Sequence, residues 1–285
     1  MATPRMRTLI DRGLYFESPR FHDGKLWVAD ALTNKVVSVT LNKTSELVCK
    51  INGVPSGLGF LPNGDLVIVS MFRQKLYRCS DGEVSAYVDL AQVANGTLDD
   101  MIVDSAGNAY VGDLGFDLLQ PGAASESREA GRLLLVSPKG EPRVVAEGLD
   151  FPNGIAISGD GKKLIVAESR ANRLAEFSRA ADGSLTFVRR FGNVAEPDGI
   201  CLDTEGAVWV ASFQADAFVR IARDGREITR IETPGRRAVA CVLGGDDGRA
   251  LFCVTADTTH EKLLQGKSQA RVDVVSVDVP SDGLP

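Results

Sequence analysis

The sequence predicts an all-β fold, a six-bladed β-propeller, on the strength of three observations. A unit of two apolar stretches joined by a turn that ends in glycine recurs six times, with turn glycines at positions 24, 64, 107, 161, 206 and 248. Each unit is followed by a further β-type segment, and no stretch shows convincing helical periodicity. Since runs of four short strands that repeat every ~40–50 residues are typical of propeller blades, residues 1–285 are predicted to form a single propeller domain.

The six units are predicted hairpins, because Asp-Gly and Asn-Gly between apolar runs supply the positive φ that a tight turn needs. The segments predicted to add a third strand to each hairpin are Lys35–Leu41, Lys75–Cys79, Gly131–Val136, Arg173–Ser178, Ala217–Ala222 and Arg271–Val277. Two stretches without a strand pattern, Leu114–Gly131 and Thr258–Ala270, interrupt the repeat. Loops of this length are either functional lids or flexible excursions, and the sequence leaves both open.

Composition excludes several classes of partner. The chain carries 38 acidic and 32 basic residues without a basic stripe, so nucleic acid is not an expected partner. No apolar run approaches the ~18 residues of a membrane span, and the first residues lack the apolar core of a signal peptide. The five scattered cysteines contain no C-x-x-C pair, which favours reduced, buried thiols. A cytoplasmic protein is therefore expected, and the sequence gives no indication of its oligomeric state.

Polar residues open the innermost strand of most units, at a position seven or eight residues before the turn glycine. Across the six units this position holds Glu17, Ser56, Asp99, Asn153, Asp198 and Ala240. Innermost strands line the channel of a propeller, so these side chains should converge, and like charges that converge are costly unless neutralised. An all-oxygen set favours a hard divalent cation, Ca²⁺, Mg²⁺ or Mn²⁺.

A structural interpretation competes with this one. Taken singly, an Asp or Asn near a strand start usually serves a turn or a strand end. The equivalence across blades favours the cation site. The acids on the outward side, Asp30, Asp104 and Asp203, are instead predicted to serve turns or to face solvent.

Several segments carry a resemblance to a known family. They are Phe151-Pro-Asn-Gly-Ile-Ala-Ile-Ser-Gly-Asp-Gly161, Glu196-Pro-Asp-Gly-Ile-Cys-Leu-Asp203, Glu17-Ser-Pro-Arg-Phe21 and Cys241-Val-Leu-Gly-Gly. Over nearly its whole length the chain resembles the senescence marker protein/gluconolactonase/luciferin-regenerating enzyme family of six-bladed, metal-dependent lactonases. The resemblance implies one divalent cation, calcium first and Mg, Mn or Zn as alternatives, held by Glu17, Asn153 and Asp198. It also implies that Asp198 is the general acid/base.

The third blade departs from the family pattern. The family's gluconolactonases tend to show Asn-Asp-Gly after a substrate-contacting Arg, whereas this chain has Thr97-Leu-Asp-Asp-Met101. This version is more similar to the bacterial drug-responsive lactonases, which favours a less polar lactone over a sugar-acid lactone. The resemblance makes Asp99, Thr97 and Asp117 the expected substrate contacts, with Asp99 open as a ligand too. Further candidates are Asp100 and Ser56.

The predicted function is hydrolysis of a small-molecule lactone or ester by water attack on a metal-polarised carbonyl. Two alternatives stay open: an organophosphate triesterase with the same constellation, and a non-catalytic propeller that serves as a binding platform. A serine-hydrolase triad has no support, since the chain has only two histidines and no G-x-S-x-G.

Overall fold

The computed structural model describes residues 6–120 and 130–284, which form six four-stranded antiparallel sheets. The chain begins with β1 (Arg7–Gly13), which belongs to the last sheet. The first sheet contains β2 (Phe16–His22), β3 (Lys25–Asp30), β4 (Lys35–Thr40) and β5 (Ser45–Lys50). The second contains β6 (Pro55–Phe60), β7 (Leu66–Ser70), β8 (Lys75–Ser80) and β9 (Glu83–Asp89), with a single 3-10 turn at Met71–Arg73.

The remaining four sheets follow the same order along the chain. The third contains β10 (Leu98–Val103), β11 (Ala109–Asp113), β12 (Gly131–Val136) and β13 (Pro142–Leu149). The fourth contains β14 (Pro152–Ile157), β15 (Lys163–Glu168), β16 (Arg173–Arg179) and β17 (Leu185–Phe191). The fifth contains β18 (Pro197–Leu202), β19 (Val208–Ser212), β20 (Ala217–Ile221) and β21 (Glu227–Glu232). The sixth contains β22 (Arg237–Gly244), β23 (Ala250–Asp257) and β24 (Gln269–Ser276), with β1 at its outer edge.

The predicted six-bladed propeller is confirmed. The strands β2, β6, β10, β14, β18 and β22 contact one another in a closed ring, so they are the innermost strands of six blades. The interruption predicted at Thr258–Ala270 contains a short helix, α1 (His260–Leu264), and its last residues already belong to β24. The interruption predicted at Leu114–Gly131 lies partly outside the described residues, at 121–129.

Burial explains the distribution of apolar residues among the strands of a blade. Every residue of the second strands β7, β11 and β19 is buried, because both faces of these strands pack between neighbouring blades. Their sequences are accordingly apolar runs that end in a polar residue, Ser70, Asp113 or Ser212, rather than alternating ones. The outer strands β5 and β21 are mostly exposed. Among the described residues, no helix is both long and apolar enough to cross a membrane.

All innermost strands run in the same direction, which gives the ring two distinct ends. We call the end where these strands begin the mouth face and the opposite end, which carries the turn glycines, the turn face. At the turn face Asp104 and Asp203 serve turns as predicted, since each accepts hydrogen bonds from backbone N–H groups two and four residues ahead. Of the two predicted roles only the turn holds, because both are buried against arginines, Arg179 and Arg220, rather than facing solvent.

At the mouth face every innermost strand has a break in its pairing with the second strand. The breaks fall between Glu17 and Arg20, Pro55 and Leu58, Leu98 and Met101, Pro152 and Ile155, Pro197 and Ile200, and Ala238 and Ala240. Such irregularities bend a strand locally and re-aim a side chain. They fall at the residues from which the sequence predicted a site.

Glycines next to these positions let the innermost strands approach closely. A Cβ on Gly154 would lie 2.5 Å from the carbonyl oxygen of Asp198, and a Cβ on Gly199 would lie 2.5 Å from the Cβ of Ala240. Real Cβ atoms do not tolerate such distances, so any larger residue would push the blades apart. The ring is therefore tight at the level of the predicted site.

Candidate functional site

The structure brings four of the predicted site residues together at the mouth face. Glu17 on β2, Asp99 on β10, Asn153 on β14 and Asp198 on β18 each follow the first residue of an innermost strand. Asp198 is buried, and the other three are half-buried, which leaves them partial access to the mouth. Asn153 forms a side-chain hydrogen bond with Asp198.

The electrostatics of this group are those of crowded acids. Burial, followed by the charges of Asp198 and Asp99, raises the pKa of Glu17 well above its ordinary value. Burial and the charge of Asp99 likewise raise the pKa of Asp198. Burial and the neighbouring Asp100 raise the pKa of Asp99 to about 8. Each of these carboxyl groups is therefore costly to ionise in the protein alone.

No basic side chain relieves this crowding directly. Within residues 6–120 and 130–284, no lysine, arginine or histidine forms an ion pair with Glu17, Asp99 or Asp198, and none is among the main influences on their pKa values. Buried acids of this kind are normally paired or bind a metal.

The donor set fits a hard divalent cation by its chemistry. Two carboxylates and a carboxamide offer only oxygen atoms, which Ca²⁺ and Mg²⁺ prefer. Across the described parts of the chain, no group of three or more His, Cys, Asp or Glu side chains is arranged to hold a metal ion. Glu17, Asn153 and Asp198 form a different kind of set, since one of the three is an amide.

Two further mouth residues were not predicted from the sequence. Tyr15 forms a side-chain hydrogen bond with Glu17, and burial followed by the charge of Glu17 raises the pKa of the tyrosine. Glu196 adds its charge to those acting on Asp198. Both lie two residues before a predicted ligand, in the bends that precede β2 and β18. Extending the repeat comparison by two positions would have found them.

The two additional candidates, Ser56 and Asp100, lie beside the acids in supporting positions. The Ser56 hydroxyl donates to the backbone carbonyl of Asp99 at 2.9 Å. One oxygen of Asp100 accepts hydrogen bonds from Ser18, from Arg20 and from the N–H of Met101. Both side chains therefore already hold the strands that carry the predicted ligands.

The structure does not place Thr97 and Asp117 among the acids. Thr97 is buried, and its hydroxyl oxygen accepts a hydrogen bond from the N–H of Leu118 at 3.0 Å. Asp117 is exposed and accepts from the N–H of Leu119. Thr97 thus holds the loop that follows β11 at the mouth face, and Asp117 lies on that loop.

Aromatic side chains flank the acids on two sides of the mouth face. On one side, the Arg170 guanidinium lies 4.4 Å from the ring centroid of Phe116 and 5.1 Å from that of Phe151. On the other side, the His260 ring from α1 stacks on Phe213 at 5.1 Å. Apolar and cationic surface therefore borders an acidic centre.

The second flank is tied to the acids by a hydrogen bond. Nε2 of His260 lies 3.0 Å from Oε1 of Glu196, and this bond raises the pKa of the histidine. The segment between β23 and β24 is thereby joined to the blade that carries Asp198.

Comparison with known proteins finds a family model that matches most of the chain. A model of the SMP-30/Gluconolactonase/LRE-like region matches residues 16–257. Pentonolactonase XacC from Haloferax volcanii is 26% identical over 244 residues, 81% of this chain and 79% of that protein. Lactonase drp35 from Staphylococcus epidermidis is 25% identical over 289 residues, 96% of this chain and 82% of that protein. The solved structure of a calcium-binding protein, regucalcin, from Agrobacterium tumefaciens shares the fold, with a TM-score of 0.81, 20% identity, and coverage of 100% of this chain and 99% of that one.

Proposed function

This chain belongs to the SMP-30/Gluconolactonase/LRE-like family, and from that membership we propose that it is a lactonase that depends on a divalent cation. The observation that carries the proposal is the group formed by Glu17, Asn153 and Asp198, where two acids with raised pKa values face the mouth without a basic partner among the described residues. The relatives named pentonolactonase and lactonase support a lactone as the substrate class.

Glu17, Asn153 and Asp198 would hold the cation, with Asp99 beside them. When bound, a divalent cation supplies Lewis-acid polarisation of the substrate carbonyl. The name of the calcium-binding structural relative supports calcium as the first choice, with Mg, Mn and Zn as alternatives. Tyr15 orients Glu17 through their hydrogen bond.

Asp198 is proposed to carry the proton. It would accept a proton from the attacking water as the new C–O bond forms, and then donate it to the leaving alkoxide as the ester bond breaks. The product is the open hydroxy acid. Burial and the charge of Asp99 raise the pKa of Asp198 and so oppose the lowering that a bound cation would cause, which favours a base whose pKa is nearer the working pH.

The surroundings of the acids support a less polar lactone than a sugar acid. Thr97 is uncharged, unlike the arginine that the sugar-acid lactonases carry there, and its hydroxyl oxygen already accepts a hydrogen bond from the N–H of Leu118. The rings of Phe151 and Phe116 border the site instead. Asp99 remains a proposed contact for the polar end of the substrate, and Asp117 a proposed contact from its loop.

The test of the function is a panel of substrates assayed with and without metal. Protein purified without chelator should contain about one divalent cation per chain by elemental analysis. It should hydrolyse dihydrocoumarin, lose that activity in EDTA, and regain it when Ca²⁺ or another divalent cation is added back. Turnover of a phosphotriester without any lactone would favour the organophosphate triesterase. Metal without any turnover would favour the binding platform.

The same panel tests the substrate preference. Loss of one charge-assisted hydrogen bond from an arginine costs ~1.5–3 kcal/mol, or roughly ten- to a hundred-fold in kcat/KM. We therefore expect kcat/KM for an aromatic or alkyl lactone to exceed that for gluconolactone by about that factor. A higher kcat/KM for gluconolactone would contradict this part of the proposal.

A further inference from the structure

A buried arginine lies just beneath the acids of the mouth. Arg20 is on β2, three residues after Glu17, and its side chain is only 7% exposed. Its Nε donates to the carbonyl oxygen of Leu58 on β6 at 2.8 Å. Its Nη2 donates to the carbonyl oxygen of Met101 on β10 and lies 3.0 Å from Oδ1 of Asp100. One guanidinium therefore joins the innermost strands of three consecutive blades.

The partners of Arg20 are chain neighbours of the proposed site residues. Asp100 follows Asp99, and the same oxygen of Asp100 that meets Arg20 also accepts from the hydroxyl of Ser18, which follows Glu17. Ser18 has a φ of 45°, a left-handed conformation that is unusual for a residue other than glycine. The backbone beside Glu17 is thus held in an uncommon conformation by the same network.

This network supplies hydrogen bonds between blades, which the sheets themselves do not. Each innermost strand lies at the edge of its own sheet, so no ladder of backbone hydrogen bonds joins β2, β6 and β10 to one another. Packing at glycines such as Gly57 brings these strands close, and side-chain hydrogen bonds between them then hold the spacing. Arg20 fixes it, because a planar guanidinium can bind several acceptors at once in a rigid arrangement.

We propose that Arg20 is a positioning residue of the mouth site, which sets the spacing between Glu17 and Asp99 by binding the strands that carry them. The inference rests on the proposed cation site and deepens it. Arg20 would not bind the cation or the substrate itself, because its guanidinium nitrogens are engaged by protein acceptors. It acts through Asp100, Ser18 and the two backbone carbonyls.

Charge and geometry predict opposite effects, which makes the proposal testable. If Arg20 mattered only as a positive charge, removing it would strengthen the attraction of the acids for Ca²⁺. If Arg20 positions the strands, removing it should weaken Ca²⁺ binding. Mutation of residues that orient metal ligands typically lowers metal affinity by about 10- to 100-fold. Arg20→Lys separates the effects of charge and geometry further, since it keeps the positive charge but loses the planar set of N–H donors.

The experiment is calorimetric titration of Ca²⁺ into chelator-treated protein, together with urea unfolding of each variant. Arg20→Met and Arg20→Lys should both raise the Kd for Ca²⁺ by about 10- to 100-fold. Arg220→Met is the matched control, because Arg220 forms an equally buried ion pair with Asp203 within a single blade. It should lower the stability and leave the Kd within about twofold of wild type.

The possible outcomes separate the inference from the function on which it rests. An unchanged or lower Kd for Arg20→Met overturns the positioning role, and so does a wild-type Kd for Arg20→Lys. An equal rise in the Kd of Arg220→Met would also overturn it, since general destabilisation would then suffice. If Arg20→Met fails to fold, Arg20→Lys gives the answer alone. Wild-type protein that binds no divalent cation would overturn the proposed cation site itself.

Discussion

Two aspartates at the opposite ends of β18 show how one residue type serves two purposes. Asp203, at the turn face, is fully buried, lies 2.6 Å from Nε of Arg220, and accepts two backbone N–H groups with its other oxygen. Asp198, at the mouth face, is also buried and has Asn153 as a hydrogen-bond partner. The negative charges of Asp99, Glu196 and Asp100 lie close to it and raise its pKa. The negative charge of Asp203 is therefore compensated by an arginine, whereas that of Asp198 is surrounded by other acids.

A third buried acid shows that the partners, rather than burial, decide the outcome. Glu168 at the end of β15 is fully buried, which by itself would raise its pKa, yet hydrogen bonds from Arg173 and from the N–H of Asp150 lower it. Glu17 is crowded by acids instead, and its pKa is raised. Compensated acids stabilise the blades, whereas uncompensated ones are available for a ligand.

The largest expected effect comes from changing the acid at the mouth. Asp198→Asn keeps an oxygen ligand of the same shape but removes the base, so kcat should fall by about 10²–10⁴ while metal is retained. Glu17→Gln should instead weaken metal binding and regain part of its activity in excess cation. Steady-state kinetics with a metal titration distinguish the two. If added metal rescues Asp198→Asn as fully as Glu17→Gln, Asp198 is only a ligand, and Asp99 or Asp100 becomes the candidate base.

The equivalent change at the turn face should affect stability rather than activity. Asp203→Asn leaves the Arg220 guanidinium without its buried charged partner, which should lower the free energy of unfolding by about 1–3 kcal/mol. The value of kcat should stay within about twofold of wild type, because Asp203 lies at the far end of the strand from the mouth. Urea denaturation and steady-state kinetics on the same preparation measure both. A kcat loss comparable with that of Asp198→Asn would remove the distinction between the two ends.

The pH dependence of stability should differ with and without metal. The folded-state pKa of Asp99, about 8, lies above the ordinary value of 3.8. Its contribution to stability is therefore fully present below about pH 4 and is lost as the pH rises to about 8. We expect the metal-free protein to lose stability across this window, and Ca²⁺ or Asp99→Asn to reduce the loss. Thermal unfolding at several pH values tests this, and identical pH profiles with and without Ca²⁺ would contradict it.

The smallest effect is expected for Glu196, a mouth acid whose basic partner is an exposed histidine. Glu196 meets His260, whose side chain is 73% exposed, and exposed pairs contribute only ~0.2–1 kcal/mol. His260→Ala should therefore change KM by at most about fivefold and leave kcat near wild type. A larger change in KM would indicate that the segment carrying α1 closes over the substrate. Leu264→Ala, at the exposed end of the same helix, is the control for nonspecific effects on that segment.

The turn glycines explain why the blades could be predicted. Each marks a hairpin by local backbone geometry, and the polar position before it repeats with the hairpin, so Glu17, Asn153 and Asp198 emerged from a comparison of units. The strand β1 carries no such mark. Three of its seven residues are exposed, and its partner β24 lies at the other end of the chain, so only the closed ring reveals it.

The missed site residues have a different cause. Nothing within blade one shows that Arg20 meets Asp100, because that contact depends on how three blades are arranged around the channel. The burial of Asp203 was missed for a related reason, since its turn pattern is visible in sequence but its arginine comes from another strand of the same blade. The residue types at turns and strand starts could be predicted from the sequence. The ion pairs between strands could be identified only from the folded structure.

The pairing of β1 with β24 has a consequence for the order of events during synthesis. Arg7 pairs with Val274, so β1 must wait for β24 before the sixth blade is complete. Closing so long a loop is slow, because the entropy of the intervening chain opposes it until the contact forms. Glu17 lies on β2, four residues after the end of β1, and Asp198 lies on a blade made much later. A nascent chain that lacks its last strands should therefore have every proposed ligand and still not bind the cation, so that metal capture marks the completion of the ring.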